Sequence, residues 1–147
     1  MGEYSNWSSL VKAAQTACND VLKSEVADTA KKIVNKHIQS DIYDTYSPVG
    51  EENGGYDRRN ELGDPTNTIS RMIDKNTILI TNEAPPSPPI FDGDYGEYDD
   101  ELLYWIEKGR VLNMFNNKDY PWMHPRPAIS NAQEEINSST EIESAIN

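Results

Sequence analysis

Apolar side chains recur at Trp7, Leu10, Val11, Ala14, Cys18, Val21, Leu22, Val26, Ala30, Ile33, Val34, Ile38 and Ile42, at steps of three or four along one helical face. Residues so spaced stack on one side of a 3.6-residue turn, so the pattern predicts a long amphipathic helix over 7–42. Neither Gly nor Pro interrupts residues 3–47, Ser5 or Asn6 can cap the start, and Pro48 closes the stretch. At about 1.5 Å per residue such a helix is roughly 50–60 Å long. That exceeds what a compact domain of this size needs, so the helix either bends or projects.

The period then changes. Residues 67–73 (NTISRMI) and 77–82 (TILITN) read as two short strands joined by a turn at Asp74, Lys75 and Asn76. Ile69, Arg71 and Ile73 share one face while Ser70 and Met72 share the other; Ile78 and Ile80 alternate with Leu79 and Thr81. Both faces are mixed, which leaves the buried one open. A lone hairpin is barely stable in water, so this one must lean on the long helix or join a sheet with neighbouring copies. Further on, Leu102, Leu103 and Ile106, with Tyr104 and Trp105, predict a short core helix that Gly109 ends, with Lys108 favourable in its last turn. Ala128, Ile129, Ala132 and Ile136 mark a last helix with Pro127 near its start, and past Ser138 the composition reads as a fraying acidic tail.

The expected class is therefore mixed α/β of the α+β kind: a long N-terminal helix packed on a small antiparallel sheet, with a short core helix and a C-terminal helix. One domain over 1–137 and a tail over 138–147 fit the 147 residues, since two domains would each be marginal. Three stretches lie outside this scheme. Residues 47–68 are rich in Gly, Pro, Asn and Asp and read as a connecting arm. Residues 84–91 (APPSPPIF) form stiff, extended backbone, a spacer or docking arm. Residues 92–101 (DGDYGEYDDE) form an acidic loop, and with the prolines they read as an insertion at about 84–101.

Charge sharpens the picture. The chain has 25 acids, 13 bases and a formal net charge of −12. Glu83, Asp92, Asp94, Glu97, Asp99, Asp100, Glu101 and Glu107 lie in a stretch without a base, and Glu134, Glu135, Glu141 and Glu143 in another; together they account for the whole excess. Ordinary nucleic-acid binding is excluded as a class, because phosphate affinity comes from Lys and Arg. No apolar run is long enough to span a membrane, and the start resembles no secretion signal.

Candidate chemistry is sparse. The lone Cys18 falls in the helical repeat and reads as packing; His37, beside the apolar stripe, reads as a satisfied structural histidine rather than a ligand. The acidic loop fails the calcium-loop pattern, with Gly96 at the fifth position and Leu103 at the twelfth. Glu107, in an apolar setting, reads as snorkelling or paired to Arg110 rather than catalytic. No P-loop, GxGxxG, HExxH, CxxC or GxSxG occurs. The expectation is no enzyme, no metal and no cofactor.

The order of elements, with IYDTYSP (Ile42–Pro48), YDRRNEL (Tyr56–Leu62), WIEKG (Trp105–Gly109) and RPAI (Arg126–Ile129), resembles the neck or tail-completion proteins of long-tailed double-stranded-DNA bacteriophages. The resemblance spans most of residues 7–137; the 84–101 insertion and the tail depart from it. It implies a virion structural protein, assembled in the host cytoplasm as a sixfold ring at the head-tail interface. Its partners would be other copies of itself, a head-completion or connector protein, and a tail terminator or tail tube protein. Genomic DNA would pass through without sequence-specific binding, and no membrane would be involved.

Extended segments suit contacts between subunits or with the adjoining ring, which nominates Tyr56, Arg58, Arg59, Leu62, Pro85, Pro86, Pro88, Pro89 and Arg126. For Arg58 and Arg59, ion pairing with Asp57, Glu61 and Asp64 is the competing reading. Asp92, Asp94, Glu97, Asp99, Asp100 and Glu101 are expected either on the DNA passage, where carboxylates repel phosphates, or against a partner or solvent. The alternative function is an acidic DNA mimic or inhibitor of a nucleic-acid-binding protein, a reading weakened by the balanced charge of residues 1–82 and 108–126.

Overall fold

A computed structural model of the chain describes residues 6–45, 60–84, 102–109 and 124–146. The long helix is present as one continuous rod over 7–43. It comprises α1 (Trp7–Val21), a π-helical turn (Leu22–Val26), α2 (Ala27–His37) and a second π-helical turn (Ile38–Tyr43). Asn6 caps it in a capping box with Ser9: the Asn6 side chain accepts from the Ser9 backbone N–H at 2.9 Å.

The π turns follow from the spacing of the core residues. Cys18, Leu22, Val26, Ala30, Val34, Ile38 and Ile42 stand four apart throughout. Each step of four overshoots a 3.6-residue turn by about 40°, so in a regular α-helix the stripe would wind around the rod. The wider i→i+5 turns take back part of that drift, as in the bonds from Ala27 N–H to the Leu22 carbonyl and from Asp44 N–H to that of Gln39. Val26, Ala30, Val34, Ile38 and Ile42 are all buried as a result.

The hairpin is β1 (Thr68–Met72) against β2 (Ile78–Asn82), antiparallel, with Thr68 opposite Asn82, Ser70 opposite Ile80 and Met72 opposite Ile78. It leans on α2. The face left open by the alternation is resolved: Thr68, Ser70, Met72, Ile78, Ile80 and Asn82 share the inner side, where Ile80 packs on the core and Thr68 donates its hydroxyl to Asn35 of α2. Outward lie Arg71 and Leu79, with Ile73 continuing their face past the strand end. Before the hairpin, two 3₁₀ turns (Glu61–Gly63 and Pro65–Asn67) run under the end of the long helix. Gly63 lies against the Tyr43 ring, where a Cβ would come within 2.5 Å of a ring carbon, so only glycine fits.

The C-terminal elements close the core. α3 (Leu102–Lys108) ends at Gly109, whose φ of 73° suits glycine. α4 (Ala128–Asn137) lies along α2 and the second π turn; Pro127 sits at its cap rather than inside its first turn. The expected fraying tail is instead a helix, α5 (Thr140–Ile146), packed on the first π turn. Ile142 and Ala145, three apart, supply the apolar face that holds it. No helix among the described residues is long and apolar enough to cross a membrane.

Candidate functional site

Polar chemistry concentrates where α4 crosses the long helix. The nitrogens of His37, whose side chain is 14% exposed, face Asp41 Oδ2 at 2.7 Å and Glu135 Oε2 at 2.9 Å. The i,i+4 spacing puts Asp41 on the His37 face, and α4 brings Glu135 from the other side. Each ring nitrogen thus has one carboxylate partner, one from its own helix and one from α4. Asp41 also accepts from the Ser40 hydroxyl at 2.6 Å and the Asn131 amide at 2.9 Å. Burial pushes the Asp41 carboxyl up, but the hydrogen bonds from Ser40, Asn131 and His37 outweigh it and hold the group below its ordinary 3.8. Lys36 donates to both Glu135 oxygens, at 2.8 and 2.6 Å, and this contact, then His37, holds Glu135 below its ordinary 4.5.

This arrangement is a clamp. Lys36, His37, Asp41 and Glu135 each have a protein partner in it, as expected for a structural histidine. Among the described residues no group of three or more His, Cys, Asp or Glu is placed to hold a metal ion.

A second polar anchor lies at the start of α4. Pro127 offers no capping side chain, and Glu107 of α3 takes that role from a distance. Its carboxylate accepts from Ile129 N–H at 3.0 Å, from Ser130 N–H at 3.1 Å and from the Ser130 hydroxyl. These are the second and third residues of α4, the donors an ordinary cap would serve, and the negative charge also suits the helix N-terminus. Glu107 is thus placed as a helix cap, a role that neither snorkelling nor pairing with Arg110 describes. The absence of Ser, Thr, Asp or Asn ahead of Ala128 was the available signal that α4 needed a cap from elsewhere.

Of the residues nominated for interfaces, Leu62 is buried in the core of its own chain, because its 3₁₀ turn packs under the second π turn. It offers a neighbour almost no surface. Arg126 is half-buried at the entrance to α4, with its backbone N–H donated to the Ile106 carbonyl at 2.9 Å. Tyr56, Arg58, Arg59, Pro85, Pro86, Pro88, Pro89, Asp92, Asp94, Glu97, Asp99, Asp100 and Glu101 lie outside the described residues, as does Arg110.

Among the described residues, α1 and the hairpin expose apolar side chains. α1 contains no buried residue: Trp7 is 77% exposed, and Leu10, Val11, Ala14 and Cys18 are exposed as well. The expectation that Cys18 is packed is thus corrected; among the described residues, cover of the stripe ends near the first π turn, where α5 lies. On the hairpin, Ile73 is 59% and Leu79 43% exposed.

Compared with known proteins, residues 6–147 match the model of the YomN family. No curated protein and no solved structure shows significant similarity. With nearly its whole length matched, the chain belongs to the YomN family.

Proposed function

We propose that this YomN-family protein is a structural virion subunit, a ring-forming neck or tail-completion protein that joins the phage head connector to the tail tube. One observation carries the reading: the α1 stripe continues the spacing of the buried half of the same helix yet has no buried residue. A subunit completed by its neighbours has that form. The polar clusters support the same reading, because they hold helices together and present no reacting group.

In this reading the ring surrounds the DNA passage, and the acids at 92–101 face either the passage or a basic neighbour. A mimic of nucleic acid draws less support. Carboxylates of the described surface are partly neutralised locally, as in Lys31–Asp28, Lys36–Glu135 and Arg71–Glu83.

The test is genetic and structural. Deleting the gene from the phage that encodes it should leave filled heads and separate tails, and the purified wild-type particle should contain the protein at the neck. Particles that lack the protein, or that join normally without it, overturn the proposal.

A further inference from the structure

Among the described residues, two elements each expose more than one large apolar side chain, while Ile129 and Ile146 are exposed singly. One patch is the face of α1 formed by Trp7, Leu10 and Val11; the other is the outer face of the hairpin, with Leu79 and Ile73. We infer that these patches are the two sides of one interface: α1 of one copy lies across the outer hairpin face of the next.

Three observations identify the occupant as a second copy. The first is charge. In a chain of net charge −12, Trp7–Val21 contains one Lys and one Asp, and 68–82 contains Arg71 and Lys75 against Asp74. Neither segment is acidic, the first neutral and the second with one net positive charge, so copies meet there without net like-charge repulsion. Lys12 and Asp20, moreover, fall on the side of α1 opposite Trp7, Val11 and Cys18, by their angular positions at about 100° per residue.

The second is area. A side chain like Trp7 presents on the order of 150–200 Å² when this exposed. With Leu10 and Val11 against Ile73 and Leu79, the apolar surface removed from water is on the order of 500–600 Å², and at the usual apolar share of an interface this implies roughly 1,000 Å² in all. That reaches the lower bound for a specific contact.

The third is economy of cover. Pairing two α1 helices by a two-fold axis leaves Ile73 and Leu79 in water on both copies. A head-to-tail contact covers both patches on every copy once the series closes, and heterologous contacts of this kind build rings. The inference rests on the ring reading for closure alone; the contact itself is a property of the purified protein.

The experiment uses two variants of the full chain, Leu10→Glu and Leu79→Glu, with sedimentation to read mass and circular dichroism to confirm that each is folded. Wild type should form species larger than a dimer as concentration rises, and each variant alone should be monomeric. Mixed one to one, they should give a heterodimer of about twice the 16.6 kDa chain mass and nothing larger, because one sound α1 meets one sound hairpin. A mixture that stays monomeric, a Leu79→Glu protein that assembles as wild type does, or a wild type that is monomeric throughout overturns the inference.

A second preparation, Val11→Cys and Leu79→Cys in a Cys18→Ser chain, should give an oxidised ladder of linked copies; its failure to link overturns the inference too. Failure here is distinct from failure of the phage reading. That reading is decided by whether particles contain and need the protein, and this one by the purified chain alone.

Discussion

The two halves of the long helix carry the same spacing of apolar residues and end in opposite surroundings. From Val26 to Ile42 the stripe is buried beneath the hairpin, α4 and α5; from Trp7 to Cys18 it faces water. An amphipathic pattern thus announces that a face is to be covered, and leaves unstated whether the cover comes from the same chain. In this protein it comes from the chain for one half and, in our reading, from a neighbour for the other.

The sharpest way to break that comparison is a matched pair of truncations. Ile38 is 0% exposed at the centre of the core, so Ile38→Ala should cost about 2–5 kcal/mol through lost burial and the cavity left behind. Leu10→Ala, on the same helix, should change the stability of the monomer by less than about 0.5 kcal/mol. Urea unfolding at low protein concentration measures both. Equal losses would mean that α1 is already packed in the monomer.

The halves should also differ in their response to acid. Asp41 is held below its ordinary value in the folded chain, so its contribution is complete above about pH 4 and is lost as pH falls through the lower folded value. Folding binds the ionised form, so protonation favours unfolding. Asp41→Asn should cost on the order of 1 kcal/mol near pH 7 through weakened hydrogen bonds and flatten the loss of stability as pH falls below about 4. Stability followed by denaturant titration across that range checks it; a variant with the wild-type acid profile would remove the clamp from the account. Replacing Lys12 on the exposed half should leave the profile unchanged.

Much of the fold was legible in the sequence. The long helix, its Asn6 start, the hairpin with its turn and the glycine stop at Gly109 all follow from local signals that survive into the structure. Where the reading failed, the cause is a contact between distant segments. The run of four-residue steps from Cys18 to Ile42 signalled wide turns, but its meaning depends on partners lying along one straight line. Ile142 and Ala145 are too few to announce α5 until the first π turn receives them. Leu62, read as part of an arm, is fixed by the fold-back beneath Tyr43. His37 was legible as a satisfied histidine because Asp41 stands four residues on, whereas Glu135 and Asn131 come from a helix about a hundred residues away.

Glu107 offers the finest probe of what keeps the C-terminal half covered. α4 is held at one end by Glu135 on Lys36 and His37, and at the other by the Glu107 carboxylate on the Ile129 and Ser130 amides. Glu107→Ala leaves those donors to water and should cost about 1 kcal/mol, the usual value of a cap. Glu107→Gln keeps an accepting oxygen but loses the charge at the helix N-terminus, so its loss should be smaller, about 0.5 kcal/mol. Amide exchange separates cap from core: in Glu107→Ala, Ile129 and Ser130 should exchange faster while the amides of α1 keep their wild-type rates. If α1 amides accelerate as well, cover of the two halves is coupled, and the exposed stripe depends on α4 for its own order.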